Sequence, residues 1–165
     1  MPMMLDISEV SEYIRNQSED SRIYIGGDSH RFTRDGKWYA EYTVVVVIHI
    51  DGNKGCKIFG ESTIHPDYDG VQSKPRLRLM NEVYKIADLY MAMQNVIDDR
   101  PVEIHLDINP NEEHGSSCVV QQAVGYIKGL CNVIPMTKPK AFAASCAADR
   151  MKSVPNVVNR KAKVG

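Results

Sequence analysis

From Trp38 to Ile50 the chain reads Trp-Tyr-Ala-Glu-Tyr-Thr-Val-Val-Val-Val-Ile-His-Ile. Successive side chains of a β-strand point to opposite faces of its sheet. This run stays apolar on both faces near its centre, so it suits a strand inside a covered sheet. Whatever the chain folds into must supply strands beside this one and helices over it.

The flanking segments can do both. Residues 5–16 read as a short amphipathic helix with Leu5, Val10, Tyr13 and Ile14 inward, and residues 22–28 as a first strand. His30 to Lys37 forms a turn with Asp35-Gly36 at its tip. After the Trp38–Ile50 strand, Asp51-Gly52-Asn53 turns the chain into a third strand, about Cys56 to Thr63. Tight turns between consecutive strands make this half an antiparallel meander.

The period then changes. From Pro75 to Met93, the residues Leu79, Met80, Val83, Ile86, Ala87, Tyr90 and Met91 recur at helical spacing. A fourth strand follows at Val102–Ile108, a helix at about Ser116–Gly129 with Val119, Val120, Ala123, Val124 and Ile127 inward, a fifth strand at Asn132–Met136, and a last helix at Ala141–Lys152. Helices between the later strands imply parallel pairing through right-handed crossovers. The expected fold is α/β, with a mixed five-stranded sheet: the first three strands antiparallel, and strands 1, 4 and 5 parallel.

The length of 165 residues suits one domain spanning 1–165, with a core at about 22–152 and a basic tail at 153–165. The net charge of −1 hides a basic end, Arg150, Lys152, Arg160, Lys161 and Lys163, which reads first as solvated charge. Cys56, Cys118, Cys131 and Cys146 show no close pairing and sit among apolar neighbours, so buried reduced thiols are expected. The sequence shows no signal peptide and no long apolar span, so a soluble, cytoplasmic protein without membrane association is expected.

Two strands end in acids, each with a histidine two residues away: Asp28-Ser-His30 and His105-Leu-Asp107. If these strands are neighbours, their carboxylates converge at one end of the sheet. Glu82 lies between Leu79 and Ile86, on the flank of a buried stripe, while Lys85 and Asp88 point to water. Asp149 sits in the last helix on a small, apolar face. Acids at buried edges cost free energy unless paired or bound to a cation. Two Mg²⁺ or Mn²⁺ ions would offset four of them, since hard cations take carboxylate oxygen.

The element order and the placement of these acids resemble the ribonuclease H fold. More closely, Ile25-Gly-Gly-Asp-Ser29, His105-Leu-Asp-Ile-Asn109, Gly125-Tyr-Ile-Lys-Gly129, Lys138-Pro-Lys-Ala141 and Ala147-Ala-Asp149 resemble the YkuK-type ribonuclease H-like family. The likeness covers roughly residues 22–152. It implies a three-layer fold, metal-binding and catalytic roles for Asp28, Glu82, Asp107 and Asp149, and two-metal hydrolysis of phosphodiester bonds in nucleic acid. One ion, on Asp28 and Asp107, would generate the attacking hydroxide. The second, on Asp28 and Asp149, would stabilise the leaving oxygen, with Glu82 orienting the nucleophile side.

Alternative roles stand beside these. Strand-end acids also serve in turns and caps. Glu82 could pair with Arg78 or Lys85, and Asp149 with Arg150 or Lys152. His30 and His105 suit a supporting role, orienting a carboxylate, and His114 is a proton-shuttle candidate. Lys138, Lys140 and Arg150 are candidate contacts to a nucleic-acid backbone, with Arg76 and Arg78 weaker ones. No aromatic platform appears at regular spacing, so binding of single strands by stacking is not expected. The competing function is a non-catalytic module that binds nucleic acid or protein and keeps its acids as relics; a homo-oligomer or a protein partner is compatible with both. Actin-like and sugar-kinase ATPases are discarded, since the chain has neither a second domain nor a glycine-rich phosphate loop.

Overall fold

In the computed structural model, the residues described are 5–50, 55–68, 76–97, 100–108 and 119–137. They form helix α1 (Ile7–Arg15), strands β1 (Arg22–Arg34), β2 (Lys37–His49) and β3 (Cys56–Pro66), helix α2 (Arg76–Ile97), strand β4 (Val102–His105) and helix α3 (Val120–Cys131). The sheet order is β3-β2-β1-β4. β2 pairs antiparallel with both β1 and β3, and β1 pairs parallel with β4. The expected meander and the expected neighbourhood of strands one and four are both present.

The strand ends differ from those expected. β1 runs on to Arg34, so Asp28 lies in mid-strand, and the turn is only Asp35-Gly36. Both turn residues have positive φ, 54° and 75°, the conformation of a two-residue hairpin whose twist matches its strands. Cross-strand pairs carry the extension: His30 faces Glu41, and Phe32 stacks on Tyr39 with ring centroids 5.9 Å apart. β3 runs on to Pro66 and α2 to Ile97, both beyond the expected ends.

β4 is shorter than expected, closing at His105, so Asp107 follows the strand instead of ending it. The fifth strand expected at 132–136 reduces to a single parallel bridge, His105 with Met136. There the Leu106 N–H donates to the Met136 carbonyl and the Met136 N–H to the Ile104 carbonyl, both at 2.8 Å. The sheet described is therefore four-stranded.

One core serves all three helices. Val10 and Ile14 of α1, Val83, Ile86 and Met93 of α2, and Ala123 and Ile127 of α3 pack with Ile23, Ile25, Val44, Val46 and Ile48 of the sheet. On the opposite face Val45 and Val47 form a smaller cluster with Tyr24 and Ile58. The apolar faces of β2 are thus buried on both sides. The last helix expected at 141–152, and with it the third layer, lies outside the described residues. Two smaller expectations need correction: Met91 is 41% exposed, and Cys56 is exposed, whereas Cys131 is buried.

The contact between α2 and β1 sets the position of the acids. Gly27 faces the helix, and a Cβ there would stand 2.8 Å from the Thr43 carbonyl oxygen and 3.3 Å from both Ile86 Cδ1 and Val44 Cγ1. Only a residue without a side chain lets Ile86 lie this close to the strand. Gly27→Ala should lower stability by roughly 1–3 kcal/mol, the usual cost of overpacking, because the rigid backbone oxygen cannot yield. Urea denaturation measures it; an unchanged midpoint would show that β1 and β2 can yield around position 27.

Candidate metal centre

Pairing of β1 with β4 begins at Ile23 with Val102 and stops at Gly26 with His105. Two residues further along each chain stand Asp28 and Asp107, where the two strands part. Strand alternation puts Asp28 on the Tyr24 side of the sheet and Ser29 on the helix side. Asp28 Oδ1 accepts the Ser29 backbone N–H at 2.8 Å.

Glu82 comes from α2, one helical turn before Ile86. It is 3% exposed, deeper than the flank position expected from the helical pattern. The Ser29 hydroxyl donates to Glu82 Oε2 at 2.7 Å. Arg78, four residues earlier on α2, donates from one terminal nitrogen to both the Ser29 carbonyl and the Ser29 Oγ, each at 2.9 Å. Ser29 is therefore the joint between the strand and the helix acid. Sequence reasoning passed over it, although its place next to Asp28 in an alternating strand was the available signal. Arg78 acts here as a brace.

The carboxyl of Glu82 is pushed up from an ordinary 4.5 to about 8. Burial is the main cause, and the negative charge of Asp28 comes next. The Ser29 hydrogen bond pulls it back, Asp107 raises it further, and Arg78 lowers it again. Asp28 and Asp107 are thus close enough to Glu82 for both charges to act on it. Three of the four acids singled out in the sequence lie in one neighbourhood. Among the described residues, no three His, Cys, Asp or Glu side chains already stand in a closed ligand set for an ion.

The histidines sit elsewhere in this neighbourhood. His30 is exposed, with Nε2 3.5 Å from Glu41 Oε1. His105 is buried, with Nε2 3.2 Å from Glu103 Oε1 and its ring edge-on to Tyr24 at 5.3 Å. Arg76 is exposed at the start of α2. Asp149, His114, Lys138, Lys140 and Arg150 lie outside the described residues.

A family model described as ribonuclease H-like matches residues 5–153. The chain belongs to the ribonuclease H-like family. Neither the curated proteins nor the solved structures give a match. Membership accounts for the mixed sheet with β1 beside β4. In this ribonuclease H-like chain the donor chemistry at the parting of the strands, carboxylate oxygen crowded by like charge, fits a hard divalent cation.

The raised Glu82 has a measurable consequence without any metal. Between about pH 4.5 and 8 the folded chain keeps a proton that the unfolded chain has lost. This contribution to stability is complete below the unfolded value and is lost as pH rises through the folded one. In EDTA, the thermal midpoint of the wild type should fall relative to that of Glu82→Gln across this window. The corresponding difference in unfolding free energy should change by about 1.4 kcal/mol per pH unit. Parallel pH profiles for the two proteins would contradict a protonated Glu82.

Proposed function

We propose that this chain is a metal-dependent nuclease of the YkuK-type branch, hydrolysing phosphodiester bonds in nucleic acid. The observation that carries the reading is Glu82, a carboxylic acid buried beside Asp28 and Asp107. Such crowding costs stability unless a cation offsets it, and a fold has no packing reason to gather three acids at one edge.

Asp28 and Asp107 would hold Mg²⁺ or Mn²⁺ where β1 and β4 part, and Asp149, from its place in the family motif, would complete the set. A bound pair of such ions supplies Lewis acidity, lowering the pKa of water and neutralising charge on the phosphodiester. Ser29 keeps the Glu82 carboxylate oriented through its hydroxyl, and Arg78 fixes that hydroxyl in turn. Glu82 must release its proton to become a ligand or to orient the attacking water. Metal loading and proton loss are therefore coupled.

The competing reading, a binding module with relic acids, has one observation in its favour. Among the described residues the acids are neighbours without being a closed ligand set. Cleavage separates the two readings. Labelled RNA, RNA–DNA hybrid and branched DNA should include at least one substrate cut in Mg²⁺ or Mn²⁺. Asp28→Asn should abolish that cut while leaving the circular dichroism spectrum unchanged. Undiminished cleavage by Asp28→Asn would sink the nuclease mechanism, and failure to cut any substrate would favour the relic module.

A further inference from the structure

Outside the acid site, the largest exposed aromatic side chains gather on one surface. Two hollows of about 440 and 410 Å³ adjoin there and share Pro66 and Tyr68. Trp38 from β2 lines the first, Tyr84 from α2 lines the second, and Tyr68 stands between them. These rings are 42%, 38% and 77% exposed. Exposed apolar side chains gathered in one place, rather than scattered singly, mark interaction surfaces.

Two of the rings are held in place. The Arg31 guanidinium covers one face of Trp38 at 4.2 Å and is itself ion-paired to Asp67. Tyr126 meets Tyr84 edge-on with centroids 4.9 Å apart. Rigid rings offer area at little entropic cost. The pairing of Arg31 with Asp67 also neutralises the acid at the centre of the groove. Of the remaining charges, Lys37 lies in the first hollow and Lys85 in the second, against Asp88 at the far rim.

We propose that this groove binds a single strand of nucleic acid, with bases stacked on Trp38, Tyr68 and Tyr84 and phosphates met by Lys37 and Lys85. Every base has a face to stack, but bases already paired in a duplex cannot reach separate rings, so the surface selects unpaired strands. It also shares helix α2 with the acid site. Asn81 lines the second hollow and is adjacent to Glu82 in α2, and its amide donates to the Tyr42 hydroxyl at 3.3 Å. Tyr42 is the cross-strand partner of Ser29. Asn81 and Tyr42 thus tie the wall of the groove to the elements that carry Ser29 and Glu82. The three rings lie far apart in sequence, which is why no regular aromatic spacing announces them.

The choice of ligand rests on the nuclease reading, but the test does not use cleavage. Trp38 is the only tryptophan of the chain, so its fluorescence reports on this groove alone. Titration in EDTA with oligothymidylate and oligouridylate of about twelve nucleotides should quench Trp38 saturably, and less so as salt rises. Tyr68→Ala should weaken binding roughly 5- to 150-fold, and Tyr68→Phe should restore it, since only the ring is needed. The high exposure of Tyr68 makes loss of folding an implausible cause, and circular dichroism checks it. Absence of quenching at low salt, a Tyr68→Ala protein that binds like wild type, or equal binding of a duplex would each overturn the proposal. Quenching by a proline-rich peptide in place of the oligonucleotides would also overturn it and make the groove a protein-docking surface. A chain that binds strands here yet cuts none would sink the nuclease reading and leave this one standing.

Discussion

The approach of α2 to β1 at Gly27 is the constraint on which the rest of the candidate site depends. With no side chain at that position, Ile86 rests on the strand, and the next turn of the helix brings Glu82 onto Ser29. A larger residue would press on the Thr43 carbonyl of β2 and crowd Ile86 of the helix. The same contact fixes Arg78, whose bonds to Ser29 need the helix at this height. Packing and chemistry are thus set by one absent Cβ.

What the packing creates is electrostatically unfavourable in isolation. Glu82 is shut away from water beside two acids that stand just beyond the pairing of β1 with β4. The chain softens this with a hydroxyl and a guanidinium, yet the carboxyl still holds its proton to about pH 8. Structural ion-pair networks normally place a cation directly against a buried acid. Here the Ser29 hydroxyl donates to the carboxyl, Arg78 holds that hydroxyl, and the Arg78 charge also lowers the pKa of the acid directly. On the proposed reading, a cation from solution would relieve this crowding, and its binding would be tied to pH.

Much of this was legible in the sequence, for identifiable reasons. The doubly apolar β2 run required cover on both faces, and period changes marked α2 and α3. The order of elements placed β1 beside β4, which joined Asp28 to Asp107. Ends were less legible, because pairing decides them. β1 outran Asp28 through the contacts of His30 and Phe32 with β2, and β4 stopped before Asp107 where Met136 takes over its edge. Ser29 was missed because its role exists only across the strand–helix interface. The aromatic groove was missed for the same reason, since Trp38, Tyr68 and Tyr84 meet only in three dimensions.

The central claim is that Glu82 surrenders a proton when a divalent cation enters beside it. Titration calorimetry with Mn²⁺ at pH 6.5, in two buffers of different ionisation enthalpy, counts the protons released on binding. The account predicts close to one proton per site for the wild type and none for Glu82→Gln. Binding without proton release from the wild type, or no binding at all, would contradict it.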